Sequence, residues 1–133
     1  MSITFQTPGA VAYSAPQNAT SISVAYPASN VQGEKLILIL GMKPTVANGG
    51  SVTTPGSWNV VTSITGAGGY GSTLGADTGN TNLFVYERTV PAGGLSGNLS
   101  ITLSGSNISW AFMARLTLTS TDYAWDSIAA ATG

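Results

Sequence analysis

Five carboxylates, Glu34, Asp77, Glu87, Asp122 and Asp126, are the acids of this chain of 133 residues, and Lys35, Lys43, Arg88 and Arg115 are its cations. Histidine and cysteine are both absent. That removes imidazole acid-base chemistry, histidine-dependent triads, and thiolate or imidazole metal sites. A glycosidase needs two carboxyl groups ~5–9.5 Å apart across a sugar. Here Glu34 adjoins Lys35 in a turn, Glu87 adjoins Arg88 on a strand, and Asp122 and Asp126 flank an aromatic pair near the end of the chain. All read as solvated or ion-paired surface groups. Asp77, Asn80 and Asn82 bring oxygen ligands close together as a calcium site does, but only one is charged, and the segment reads as a polar turn. Serine or threonine nucleophiles need an activating base, and the two amine bases, Lys35 and Lys43, are expected in solvent. The sequence is read as that of a non-enzyme with no cofactor and no metal.

Weaker patterns lead to the same place. Gly66-Ala67-Gly68-Gly69-Tyr70-Gly71 matches the G-x-G-x-x-G string of dinucleotide sites. No helix follows it to receive a pyrophosphate, so it reads as a glycine-rich β-loop. Trp58, Trp110 and Trp125, with Tyr70, Tyr86 and Tyr123, would make a carbohydrate-stacking platform if they were exposed together, but alternation puts Trp110 on an inward face. Asn18, Asn98 and Asn107 open glycosylation sequons. The start, Met-Ser-Ile-Thr-Phe-Gln, has neither the basic region nor the apolar stretch of a secretory signal, so synthesis in the cytoplasm is expected and the sequons carry no consequence.

The elements that must position these residues read as strands. Ile22, Val24 and Tyr26 alternate with small polar residues, as do Leu99, Ile101 and Leu103. From Ile108 to Leu118 the expected inward set is Ile108, Trp110, Phe112, Ala114, Leu116 and Leu118, leaving Ser109, Met113, Arg115 and Thr117 outward. Lys35 to Leu40, Trp58 to Ile64 and Asn82 to Val90 are further strands, with shorter ones at Ile3 to Gln6, Ala10 to Tyr13 and Tyr123 to Trp125. Gly and Pro clusters punctuate them, and no ten-residue helical stripe occurs. The expected fold is all-β, an antiparallel β-sandwich of jelly-roll type with about eight strands. One domain spans 1–133, with a core over 17–119 and terminal arms at 1–16 and 120–133, either of which would reach a neighbouring subunit as an exchanged strand.

Composition narrows the partners. Charged residues are 7% of the chain against roughly a quarter in ordinary domains, and the net charge is −1, so nothing gathers nucleic acid or anionic lipid. The longest aliphatic run, Leu36 to Leu40, is far short of the ~20 residues that cross a bilayer. Ser, Thr, Gly and Asn supply 58 of 133 residues, yet hydrophobic residues reach 43%, enough to order a compact body. Two stretches, Gly41 to Ser57 and Gly66 to Thr81, are expected as long loops. Tyr70, Leu74, Asp77 and Asn80 in the second, with Tyr123 and Trp125 in the C-terminal arm, are the expected partner contacts.

Four pieces in order, Gly33-Glu34-Lys35-Leu36-Ile37-Leu38-Ile39-Leu40, Thr54-Pro55-Gly56-Ser57-Trp58, Leu83-Phe84-Val85-Tyr86-Glu87-Arg88, and Trp110-Ala111 with Arg115 beyond, resemble a β-sandwich module of virion proteins in tailed bacteriophages. One departure is visible: the glycine of the Thr-Pro-x-Gly-Trp-like turn is displaced by one place. The resemblance implies a structural, non-catalytic role on the phage particle. Within it, a short chain with few charges suits a capsid decoration (cement) protein that binds the major capsid protein as a homo-oligomer, a trimer, on the virion surface. The alternatives are a tail or tail-fibre receptor-binding module and, third, a carbohydrate-binding or carbohydrate-active protein.

Overall fold

The computed structural model describes residues 3–6, 9–13, 19–46, 49–66 and 81–118. Those residues form one antiparallel sheet without a helix. In chain order the strands are β1 (Ile3–Phe5), β2 (Ala12–Tyr13), β3 (Ala19–Ala25), β4 (Lys35–Pro44), β5 (Asn59–Thr65), β6 (Asn82–Thr89) and β7 (Asn98–Leu118). Six have three residues or more, and β2 is a two-residue addition. The path across the sheet is β1-β7-β4-β6-β5, with β2 and β3 also paired to β7.

The strand count falls below expectation because two runs are one element. Leu99 to Leu103 and Ile108 to Leu118 belong to the single 21-residue β7, which passes through Gly105 at φ 56 without ending. Gly105 carries no side chain to resist that backbone, so a residue that would ordinarily punctuate the chain bends it instead. The first part of β7 pairs with β3, Ile22 opposite Ile101 and Val24 opposite Leu99. The second pairs with β4 from Lys35↔Leu116 to Pro44↔Asn107. β1 and β2 also pair with the second part, through Phe5↔Leu116 and Ala12↔Ala111.

Continuity through Gly105 also sets which face of β7 turns inward. Six of the seven buried residues of β7, Ile101, Leu103, Asn107, Ser109, Ala111 and Met113, share one parity, and the seventh, Leu116, lies on the opposite face. This reverses the expected phase of Ile108 to Leu118: Trp110 is 39% exposed, and Met113 is fully buried. Both phases of that segment carry apolar residues, so side-chain size could not choose between them, and the register with β4 did. Small inward residues at Ser109 and Ala111 leave room for Leu40, Met42 and Tyr86, which join Ile22, Val24, Leu36, Leu38, Trp58, Val90, Ile101 and Leu103 in one core.

β4 is longer than its sequence suggested. The chain from Gly41 to Pro44, expected as the start of a loop, continues the ladder, and the loop proper begins at Thr45. That loop is stitched to the bend of β7. The Thr45 amide and hydroxyl both donate to Ser106 O at 3.0 Å, and the Gly50 amide donates to the buried Asn107 Oδ1 at 2.8 Å. Asn82 Nδ2 then donates to Gly50 O at 2.6 Å. A network satisfied in this way fixes a loop whose composition would otherwise leave it free.

Candidate interaction surface

Charged side chains are the first place to look for chemistry, and here they act as fasteners. Glu34, expected in solvent beside Lys35, is buried; its carboxylate accepts the Val31 amide at 2.9 Å and the Thr117 hydroxyl at 2.8 Å. Its ion pair is with Arg115, Nε to Oε2 at 3.6 Å, and the same guanidinium donates to the carbonyls of Ala28 and Ser29. The pair therefore clamps the β3–β4 turn onto β7. Glu87 pairs with Lys35 at 3.7 Å across β4 and β6, so Lys35, expected in solvent, has a side chain only 14% exposed. Among the described residues no group of three His, Cys, Asp or Glu gathers as metal ligands do. Asn82, the one described member of the oxygen-ligand trio, is buried, and its amide serves Gly50 and Gly66.

Of the aromatic platform, Trp58 and Tyr86 are core residues. Burial pushes the Tyr86 phenol above its ordinary pKa, and a side-chain hydrogen bond with Thr54 offsets part of that rise. Tyr70, Leu74, Asp77, Asn80, Tyr123 and Trp125, the expected partner contacts, lie outside the described residues, as does the expected strand at Tyr123 to Trp125.

The feature that sequence reading missed is the outer face of the sheet. Residues paired in register share a face. Opposite the core side, β4 presents Lys35, Ile37, Ile39, Gly41 and Lys43; β6 presents Leu83, Val85 and Glu87; β7 presents Ile108, Trp110, Phe112, Ala114 and Leu116; and β5 adds Thr62 and Ile64. Ile37 and Leu116 are buried, whereas Ile39, Ile64, Leu83, Val85, Ile108 and Phe112 are half-buried. A one-sided antiparallel sheet alternates apolar and polar; this one is apolar on both sides across three strands, a pattern of sheets covered twice. The signal was present in the unbroken run Leu36 to Leu40 and in the two apolar phases of Ile108 to Leu118.

Trp110 shapes this face. Its register partners are Gly41 on β4 and Tyr13 on β2. A Cβ at Gly41 would collide with the Trp110 indole, so the missing side chain is what lets the ring lie down over β4. Trp110 and Phe112 are nearly parallel, with an interplanar angle of 11° and centroids 6.2 Å apart. Tyr13 beside them is 73% exposed. The result is an apolar surface with an aromatic corner. No helix among the described residues is long and apolar enough to cross a membrane. Comparison with protein-family models, with curated proteins and with solved structures gives no match.

Proposed function

We propose that this chain is a structural subunit of a tailed-phage particle, a decoration or cement protein that attaches to the outside of the capsid as a homo-oligomer and holds neighbouring capsid subunits together. The observation that carries the reading is the sheet with large apolar side chains on both faces, one of them lining the core. Two features agree with it. Four of the six charged groups among the described residues, Glu34, Arg115, Lys35 and Glu87, are engaged in pairs as structural ties, which is not how general acids and bases are poised. The ordered motif set from Gly33 to Arg115 resembles the virion β-sandwich module. In this reading the layer of β3 with the first part of β7 closes over β4, β6 and β5 as a sandwich, the two sharing the core of Ile22, Val24, Leu36, Leu38 and Ile101. The protein is non-catalytic and resides on the virion.

The test is sedimentation of the purified full chain with emptied, expanded heads and, separately, with purified tails. Pelleting with heads and not with tails is the expected result. Pelleting with tails alone moves the protein to the tail or tail-fibre reading, which the exposed pair Tyr13 and Trp110 favours, because exposed aromatic rings suit stacking on a sugar ring. Binding to neither removes the virion assignment.

A further inference from the structure

The strand path β1-β7-β4-β6-β5 ends on β5, which among the described residues pairs with β6 alone. An edge strand offers a row of backbone N–H and C=O groups to any extended chain, and a second copy of the same protein is always at hand. Folded proteins blunt such edges with lysine or other charges, with proline, with very short strands or with a bulge. From Asn59 to Thr65 there is no charge and no proline, and Val60, Val61, Thr62, Ile64 and Thr65 are all β-branched, the composition that pairs most readily. What β5 does carry is an irregular register: Val60 stands opposite Tyr86 and Thr62 opposite Val85, so Val61 has no partner of its own on β6. We propose that this bulge is a guard built into the edge, which keeps β5 from extending the sheet into a second copy of the chain.

The geometry supplies the reason. In an antiparallel ladder alternate residues direct both backbone groups to the same side. An extra residue reverses that alternation, so the outward groups before Val61 and those after it fall out of step. A straight incoming strand can follow only the longer regular part, Thr62 to Thr65, where two of the four residues face outward. The bulge also sharpens the local twist and turns the edge away from a flat approach. Without Val61 the strand would run in one phase, Asn59 opposite Glu87 through to Thr65 opposite Asn82, with three outward residues in step. Its pairing with its own copy would then set β-branched side chains against one another with no like charges opposed.

The other end of the path is blunted by different means, since β1 has three residues and β2 two. Both ends thus rely on backbone geometry, as suits a chain with only nine charged side chains to distribute. Bulges elsewhere re-aim a reactive side chain, but Val61 and its neighbours on β5 bring only aliphatic, hydroxyl and amide groups. The inference goes beyond the particle reading and does not depend on it.

The test compares the full wild-type chain with two variants, one lacking Val61 and one lacking Val61 and carrying Ser63→Lys at an exposed position of the same edge. All are followed by circular dichroism, melting and sedimentation velocity at about 0.1 mM, where a micromolar association is populated. The deletion is expected to keep the fold and to form species larger than those of the wild type, its self-association about ten-fold tighter or more, and the added lysine to return it to wild-type sedimentation. Hydrogen exchange on the wild type alone gives a second reading: two of the four amides from Thr62 to Thr65 should exchange fast and two slowly, as an open edge requires. A folded deletion variant that sediments as wild type overturns the inference, as does association that the lysine leaves intact. Slow exchange of all four amides in the wild type overturns it as well, because the edge would already be paired.

Discussion

Tyr86 shows how a single polar group is made to serve the core. Its ring is 1% exposed and stacks on Phe84 with centroids 6.4 Å apart, while its hydroxyl meets the Thr54 side chain. Burial disfavours the phenolate, so the folded-state pKa lies above the unfolded value of about 10. A raised folded pKa means that the contribution to stability is fully present below pH ~10 and is lost as pH rises through the folded value, because the unfolded chain releases its proton first. Urea titrations should therefore show stability declining above pH ~10, with this residue contributing a slope of at most ~1.4 kcal/mol per pH unit. In Tyr86→Phe the decline should be shallower, while stability at neutral pH drops by about 1 kcal/mol for the lost hydrogen bond. A variant with the wild-type alkaline slope would show that the phenol is not the group titrating.

At the scale of elements, β7 carries the argument. It meets β1, β2, β3 and β4, and its bend at Gly105 lets one strand serve both ends of the core. A non-glycine residue in that left-handed conformation costs ~1–2 kcal/mol. Gly105→Val should lower the urea-derived stability by at least that much, and Gly105→Asn by clearly less, since asparagine tolerates the region; equal stability of all three would show that the bend makes no such demand. The same strand marks what was legible in the sequence. Alternation located β3 and the first part of β7 with the correct inward faces, because Ile22, Val24, Ile101 and Leu103 are flanked by Ser and Thr. Alternation failed from Ile108 onward, where Trp110, Phe112 and Leu116 compete with Ala111 and Met113, and only the hydrogen-bond register with β4 decides. The pairing of Glu34 with Arg115 was equally hidden: 81 residues separate them, and the nearer Lys35 was the obvious local partner.

For the whole molecule, the scarcity of charge predicts how attachment responds to salt. Raising NaCl from about 0.1 M to about 1 M shortens the Debye length from ~10 Å to ~3 Å. A partner held by steered ionic contacts would dissociate over that range. With nine charged side chains in all, and if the proposed attachment uses the outer face of Ile, Leu, Val and aromatic groups, the amount of protein pelleting with heads should change by less than about three-fold. A steep loss of occupancy with salt would place the attachment on the few charged groups instead.

The position of β7 in the chain bears on how a newly made copy reaches its final form. Ribosomes release the amino terminus first, and β1, β2 and β3 have every ladder partner in a segment that starts only at Asn98. Until that segment emerges, the nascent chain can assemble no more of the final sheet than β4, β6 and β5. Closure of the core is therefore deferred until β7 has been made, with long loops to bring together, and the aliphatic stretch of β4 waits until then with one flank unoccupied.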